Sequence, residues 1–212
     1  MTCCGAPGCE RQFGRKRVDR EVRDYRAHGP IPTTRALIHA LVRAGVRDGT
    51  LLDIGGGVGA IQYEVLKAGA RAATSVEASP TFLEAARQEA QREGLADRIR
   101  FEEGDFVHVA ARIPPADIVT LDRVVCCYPD MERLVRLSVE HSRRLYGLVY
   151  PRDRWITRTV VHIENLFRRL VGNSFRSFVH SVDAMDTVIR SFGFELQQRL
   201  RTFKWEVVLY QK

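Results

Sequence analysis

Length, composition and charge restrict this chain to a few classes of protein. Its 212 residues carry a net charge of +7, and 45% of them are hydrophobic, which is enough for the core of one globular domain. No apolar run is long enough for a transmembrane helix, and the N-terminus lacks the apolar segment of a secretory signal. We therefore expect a cytoplasmic protein with a single domain over residues 10–212.

The cysteines do not indicate a metal centre. Three of the five lie in a Gly/Pro-rich stretch at the N-terminus, and the other two are the adjacent Cys126 and Cys127. No Cys-x2-Cys pair recurs, so the spacing does not predict a zinc site. Residues 1–9, with Cys3, Cys4 and Cys9, are predicted to be a disordered tail with free thiols.

Positive charge is concentrated in two segments. Residues 10–26 contain seven Lys/Arg and four Asp/Glu, and residues 152–176 contain six Arg and two acids. Such segments could face an anionic substrate, RNA or a membrane surface. They could equally be solvated helix faces.

The first predicted elements form a helical cap over residues 10–45. Residues 10–27 place Phe13, Val18, Val22 and Tyr25 on one helical face. After a Gly-Pro break at 29–32, a second helix is predicted over 33–44.

Strands and helices alternate from residue 50 onwards. Ser79, Pro80 and Gly94 mark the cap, first turn and end of one helix. Strands are predicted at 50–54, 72–76, 98–102, 116–121 and 145–150, with helices at 58–68, 80–93 and 130–141. This alternation predicts an α/β fold with a doubly wound parallel sheet and right-handed crossovers.

The chain then departs from simple alternation. A basic amphipathic helix is predicted over 155–171, with Ile156, Val160, Ile163, Phe167 and Leu170 on its apolar side. We expect residues 152–179 to form a lid-like insertion whose apolar side packs on a pocket or contacts a membrane. A helix at 182–191 and an antiparallel pair of strands at 194–200 and 205–210 complete the chain.

Acidic residues follow three successive strands. Asp53 comes directly before the glycine-rich turn at 55–59, Glu77 ends the second strand, and Asp105 follows the third. The carboxyl ends of parallel strands meet at one edge of a sheet, so these residues predict a pocket for a nucleoside with free ribose hydroxyls. Asp53 can face the ligand or brace the loop. It is a poor neighbour for a pyrophosphate and suits a cationic ligand, which disfavours NAD.

Four motifs in this order resemble the class I S-adenosylmethionine-dependent methyltransferases, in their small-molecule (type 11) branch. They are Leu-Asp-Ile-Gly-Gly-Gly-Val-Gly at 52–59, Val-Glu-Ala-Ser at 76–79, Gly-Asp-Phe at 104–106 and Asp-Ile-Val-Thr-Leu-Asp at 117–122. The resemblance implies a Rossmann-like seven-stranded sheet with an antiparallel last strand, and S-adenosylmethionine as cofactor. It implies that the glycines line the methionine and ribose part, Glu77 binds the ribose hydroxyls and Asp105 binds the adenine amine. The implied cofactor-binding set is Asp53, Gly55, Gly57, Gly59, Glu77, Ala78, Asp105, Phe106 and Asp122, together with Tyr25 from the N-terminal helix.

The acceptor side is less defined. The loop at 121–130 is similar to that of magnesium-protoporphyrin methyltransferases, but Cys127 stands where that family has histidine. It also differs from the Asn/Asp-Pro-Pro-Tyr loop of enzymes that methylate amino nitrogens. Tyr128 is the candidate for orienting the acceptor and His180 the candidate base.

The leading interpretation is therefore methylation of a small molecule at oxygen or carbon, without a metal or a nucleic-acid partner. The alternative is an RNA methyltransferase that uses the basic segments 10–26 and 152–176. An NAD-linked reductase and a non-catalytic binding module are further alternatives. Peripheral membrane contact and oligomeric state stay open.

Overall fold

The fold is built on one seven-stranded sheet. The computed structural model describes residues 13–212, so the predicted tail at 1–9 lies outside the described residues. The strands are β1 (Thr50–Ile54), β2 (Ala72–Glu77), β3 (Ile99–Glu103), β4 (Ala116–Asp122), β5 (Ser142–Pro151), β6 (Glu195–Arg201) and β7 (Trp205–Gln211). Their order across the sheet is β3-β2-β1-β4-β5-β7-β6. The first five are parallel, and β7 runs antiparallel to both β5 and β6.

Eight α-helices surround this sheet in the described part of the chain. They are α1 (Arg15–His28), α2 (Pro32–Ala44), α3 (Ala60–Lys67), α4 (Pro80–Arg92), α5 (Phe106–Val109), α6 (Met131–Glu140), α7 (Trp155–Leu170) and α8 (Val182–Ser191). The doubly wound architecture predicted from the sequence is confirmed. Two hydrophobic clusters flank the sheet, one beneath α1 to α4 and the other beneath α5, α6 and α8. Alternate residues of the central strands contribute to opposite clusters, as Leu51 and Leu52 do in β1.

The capping serine and the glycines predicted from the sequence lie at the ends of helices α3 and α4. Ser79 caps α4, where its Oγ accepts from the Phe82 N–H at 3.4 Å. Gly69 and Gly94, beyond the ends of α3 and α4, have φ of 106° and 69°, a region that favours glycine. These turns end α3 and α4 ahead of β2 and β3.

Three elements differ from the prediction. The first helix begins at Arg15 after Gly14, so Phe13 precedes it and packs edge-on against Phe82 and Phe175. The short helix α5 was not predicted. Strand β5 begins at Ser142, three residues before the predicted start, because the polar run at 142–144 hides its pairing with β4 in the sequence.

The segment between β5 and α8 differs from one of the two arrangements expected for it, in which the apolar side of its helix packs on a pocket. Its helix α7 buries Thr157 alone, while Ile156, Val160, Ile163, Phe167 and Leu170 are exposed. The apolar side therefore does not pack on the pocket, and the inner side of α7 is mostly polar. Within residues 13–212, no helix is long and apolar enough to cross a membrane.

Candidate active site

The glycine-rich turn after β1 has a backbone conformation and close contacts that leave no room for side chains. Gly55, Gly57 and Gly59 have φ of 66°, 56° and 90°. A Cβ atom on Gly59 would lie 2.4 Å from the Tyr63 hydroxyl oxygen. A Cβ atom on Gly56 would lie 2.3 Å from Gln62 Nε2. The turn therefore runs close over buried side chains while its other surface faces a cavity.

Asp53 belongs to a buried polar network beneath this turn. Only 1% of the residue is exposed, and its carboxylate accepts hydrogen bonds from Thr120 Oγ1 at 2.7 Å and Gln62 Nε2 at 3.1 Å. Gln62 Nε2 also donates to Ser75 Oγ at 2.8 Å. Burial raises the pKa of Asp53 to about 7, although both hydrogen bonds act in the opposite direction. Of the two roles that the sequence left open, bracing the loop is the one that these contacts match.

A signal for this network was present in the sequence. Ser75, Asp53 and Thr120 lie in register on the neighbouring strands β2, β1 and β4. Each is a polar residue within an apolar run. A polar side chain in the middle of a buried parallel strand needs a hydrogen-bond partner. Sequence reasoning missed Thr120 and Gln62 because it did not align the strands.

Glu77 connects the end of β2 to the glycine turn. Its Oε2 accepts from the Gly57 N–H at 3.1 Å and its Oε1 from the Ser79 N–H at 2.8 Å. Burial raises the pKa of Glu77, against the effect of the hydrogen bonds. A carboxylate oxygen has two lone pairs. Each oxygen can therefore accept a further hydrogen bond from a ligand hydroxyl.

Asp105 lies at the end of β3, where it caps helix α5. Its Oδ1 accepts from the Val107 N–H at 3.0 Å, and its Oδ2 accepts from the Tyr128 hydroxyl at 3.3 Å. Phe106 follows it and is buried. Burial, reinforced by Asp105, raises the pKa of Tyr128. Tyr128 therefore keeps its proton at neutral pH and acts as a hydrogen-bond donor.

Asp122 and Tyr25 face the same cavity from different elements. The Thr34 hydroxyl donates to Asp122 Oδ2, and Arg123 Nε donates to its Oδ1 at 3.1 Å. The Tyr25 hydroxyl donates to Glu64 at 3.4 Å, and burial with the nearby Glu64 raises the pKa of Tyr25 to about 12. Helices α1 and α2 therefore contribute side chains to the wall of the cavity.

One cavity of about 580 Å³ joins these residues. Its volume lies in the range typical of small-molecule sites. Its wall combines the glycine turn and the strand ends with residues of α1, α7 and the loop after α7. The predicted residues that line it are Tyr25, Asp53, Gly55, Gly57, Glu77, Ala78, Asp105, Phe106, Asp122 and Tyr128.

Two predicted residues lie elsewhere. Gly59, at the start of α3, is buried and is not part of the cavity wall. His180 also lies outside the wall, with its Nε2 2.9 Å from the carbonyl oxygen of Tyr128. Its ring stacks on Phe178, and burial lowers its pKa. This position gives no support to His180 as a base and instead fits support of the Tyr128 loop.

The cavity also contains residues that sequence reasoning did not assign. Glu164 and Arg168 reach it from the inner side of α7, and Phe175 from the following loop. Arg168 donates to Glu164 and Ser177 Oγ, both at 3.2 Å, and lies over the Phe175 ring. The helical period of α7 contained these positions, but the sequence did not show that its polar side faces inward.

Comparison with known proteins identifies the family. A family model described as an O-methyltransferase domain matches residues 33–140, just over half of the chain. The chain belongs to the O-methyltransferase domain family. It is a class I S-adenosylmethionine-dependent methyltransferase, as the sequence resemblance implied.

Solved structures of methyltransferases share the fold of this chain. The magnesium protoporphyrin IX methyltransferase of Synechocystis PCC 6803 with bound SAH superposes with a TM-score of 0.74. The two sequences are 17% identical, and the match covers 96% of the present chain and 97% of the Synechocystis chain. An O-methyltransferase family protein from Burkholderia thailandensis gives a TM-score of 0.72 at 18% identity, over 96% and 62% of the two chains.

A curated relative matches over a shorter region. The methyltransferase is 33% identical over 72 residues to the ribosomal protein L11 methyltransferase of Pasteurella multocida (strain Pm70). That match covers 34% of this chain and 25% of the relative. It is therefore a likeness to about a quarter of that protein.

The residues of the cavity fit S-adenosylmethionine chemically. The glycine turn leaves backbone surface open to a ligand, since a Cβ atom on Gly57 would meet only Phe82 Cδ1, at 4.0 Å. Carboxylates at the ends of β2, β3 and β4 match the hydroxyls, the amine and the positive sulfur of this cofactor. The fit rests on this donor and acceptor set.

Proposed function

We propose that the chain transfers a methyl group from S-adenosylmethionine to a small-molecule acceptor, at oxygen or carbon. The observation that carries the proposal is the continuity of one cavity from Glu77 and Asp105 to the underside of α7. A site of this shape can hold a nucleoside at one end and a second small molecule at the other. The bound cofactor supplies the electrophilic methyl group on a positively charged sulfur.

In this proposal the strand ends hold the cofactor. Each carboxylate oxygen of Glu77 accepts a hydrogen bond from a ribose hydroxyl, through a lone pair that the Gly57 and Ser79 N–H groups do not use. Asp105 accepts the adenine amine, with Ala78 and Phe106 beside the ring. Gly55 and Gly57 lie along the methionine and ribose part, and Asp122 and Tyr25 complete the wall. Asp53, with Gly59, fixes the turn from below.

The same cavity wall contains further apolar and cationic side chains. Phe13, Ile31, Phe175 and Trp205 line the cavity, together with the cations Arg168 and Lys204. These side chains suit a flat, largely apolar acceptor with an anionic group. Residues 152–179 act as the lid that excludes water from the acceptor, and helices α1 and α2 act as the cap. Alignment of the two ligands is then the main contribution of the protein.

Tyr128 orients the acceptor in this mechanism. It lies on the wall near Asp105, and its raised pKa keeps the hydroxyl protonated. Its one proton is donated to Asp105, so the hydroxyl offers its lone pairs to the acceptor and does not remove a proton. His180 acts through the Tyr128 backbone as a positioning residue.

Calorimetric titration with S-adenosylmethionine tests the cofactor site. We expect Glu77→Ala to weaken binding by about 2–4 kcal/mol, or roughly 30- to 1,000-fold, because two charge-assisted hydrogen bonds are lost. The matched control is Glu103→Ala, which removes an exposed carboxylate from the end of neighbouring β3. Equal affinity of the wild type and Glu77→Ala would refute the assignment of Glu77.

Incubation with labelled S-adenosylmethionine tests the acceptor class. We expect label to enter the small-molecule fraction of a cell extract and not its RNA. The basic segments offer limited support to RNA, since Arg15, Arg17, Arg158 and Arg168 pair with Asp19, Glu21, Asp153 and Glu164. Label in the RNA fraction, with strongly salt-dependent RNA binding, would favour the alternative.

A further inference from the structure

Helix α7 presents an unusual outer surface. Trp155, Phe167 and Leu170 are 75%, 64% and 77% exposed. At 3.6 residues per turn, the exposed apolar side chains of α7 fall within an arc of about 140°. We call this set the α7 outer patch: Trp155, Ile156, Val160, Ile163, Leu166, Phe167 and Leu170.

The patch is a ridge and not a groove. Helix α7 has 16 residues, which gives a ridge about 24 Å long. Its inner side is already hydrogen-bonded to the loop that follows the helix, through Asn165 Nδ2 to the Ser177 carbonyl at 2.7 Å and Arg168 Nη1 to Ser177 Oγ at 3.2 Å. Contiguous apolar surface of this kind marks an interaction site.

Positive charge borders the patch. Arg158 and Arg169 are exposed along the edge that adjoins Trp155, and Arg154 precedes the helix. Within residues 13–212, no carboxylate forms an ion pair with Arg154 or Arg169, whereas Arg158 pairs with Asp153. The 152–176 segment carries six arginines and two acids. An occupant of the patch should therefore combine an apolar interior with negative surface charge.

The neighbouring turn has the same character. Phe203 is 81% exposed between β6 and β7, and Lys204 follows it. The Arg152 N–H donates to the Lys204 carbonyl at 2.9 Å, so this turn adjoins the start of α7.

We propose that the α7 outer patch binds the surface of a membrane that contains anionic lipids. The helix lies in the interface, with its apolar arc among the acyl chains and its arginines at the phosphate groups. The inner side of the same helix lines the cavity through Glu164 and Arg168. Membrane contact therefore takes place directly above the acceptor end, which gives a lipophilic acceptor a short path into the site.

Vesicle sedimentation with the full chain tests this proposal. We expect binding to vesicles of phosphatidylcholine with phosphatidylglycerol and much weaker binding to phosphatidylcholine alone. Phe167→Glu with Leu170→Glu should reduce the partition coefficient at least ten-fold. Arg154→Gln with Arg169→Gln should reduce it by roughly 25-fold, since each cation near an anionic surface contributes about five-fold. A blue shift of tryptophan fluorescence should disappear in Trp155→Phe.

The controls separate membrane binding from unfolding and from self-association. Val42→Glu replaces an apolar residue of 41% exposure on α2 and should leave binding unchanged. Circular dichroism and S-adenosylmethionine affinity should be unchanged in the α7 variants, so a loss of vesicle binding is not unfolding or failure of the proposed function. Absence of binding to anionic vesicles, or an equal loss in Val42→Glu, would overturn the proposal. So would a wild-type dimer that Leu170→Glu converts to monomer, which would identify the patch as an interface between two copies.

Discussion

Helices α6 and α7 have the same kind of sequence and opposite surroundings. Both are amphipathic, and α6 buries Met131, Leu134, Val135 and Val139 against the sheet. Helix α7 buries only Thr157 and exposes its apolar side. A helical period predicts a helix with an apolar face, but it does not predict what covers that face.

The topology explains the difference. Helix α6 is the crossover between the parallel neighbours β4 and β5, so it must lie on the sheet. After β5, the position on that face is taken by α8, which buries Met185, Val188 and Ile189. Helix α7 is therefore an additional element, and its polar inner side faces the cavity.

The comparison can be tested most directly with one substitution in each helix. Leu134 in α6 is fully buried, whereas Leu166 in α7 is half exposed. We expect Leu134→Ala to lower the free energy of unfolding by about 2–5 kcal/mol, because it leaves a cavity in the core. Leu166→Ala should change it by less than about 0.5 kcal/mol. Urea denaturation measures both, and equal losses would mean that α7 is covered in solution.

The buried network beneath the glycine turn predicts that the free energy of unfolding depends on pH. The pKa of Asp53 is raised by burial to about 7, against about 3.9 in an unfolded chain. The folded state thus binds the proton more tightly. Stability from this group is complete below pH 4 and falls by about 3–4 kcal/mol as pH rises to 7. Urea denaturation across this range should show a flatter profile for Asp53→Asn than for the wild type.

Asp117, at the opposite end of the same sheet, provides a control of opposite sign. Burial acts to raise its pKa, but hydrogen bonds from the Thr50 N–H and hydroxyl outweigh it and lower the pKa. Its contribution is present above about pH 4 and is lost as pH falls. Asp117→Asn should therefore alter the acid limb only. If Asp53→Asn did the same, the carboxylate of Asp53 would be ionised throughout.

Phe175 joins the segment that contains α7 to the N-terminal part of the chain, and its removal should affect α7 but not α6. It is buried, lies 5.4 Å from the Phe13 ring, and is covered by Arg168. We expect Phe175→Ala to speed hydrogen exchange in α7 by about three- to ten-fold, the loss of one aromatic pair. Exchange in α6 should not change. The exposed Phe203→Ala serves as the control, and faster exchange in both helices of Phe175→Ala would show that they open together.

The Tyr128 hydroxyl joins the loop before α6 to Asp105, and its removal should have a small effect on cofactor affinity. Tyr128→Phe removes one hydrogen bond of 3.3 Å to Asp105. We expect a two- to five-fold loss of S-adenosylmethionine affinity by calorimetry, about 1 kcal/mol or less. Tyr210→Phe, which removes a similar bond to Asp186 outside the cavity wall, should have no effect. A loss above about thirty-fold would indicate that the hydroxyl contacts the cofactor itself.

The sequence alone determined the sheet and the edge at which the site lies. Strand runs, Ser79 as a cap and the glycine turn are signals encoded in a few adjacent residues, so they could be interpreted without the fold. The position of Glu77 and Asp105 at one edge followed from parallel topology. The tertiary structure decided the contacts between distant residues: Asp53 with Thr120, Tyr128 with Asp105, and His180 with the Tyr128 carbonyl. It also decided the outward direction of α7, because burial depends on which elements already occupy the faces of the sheet.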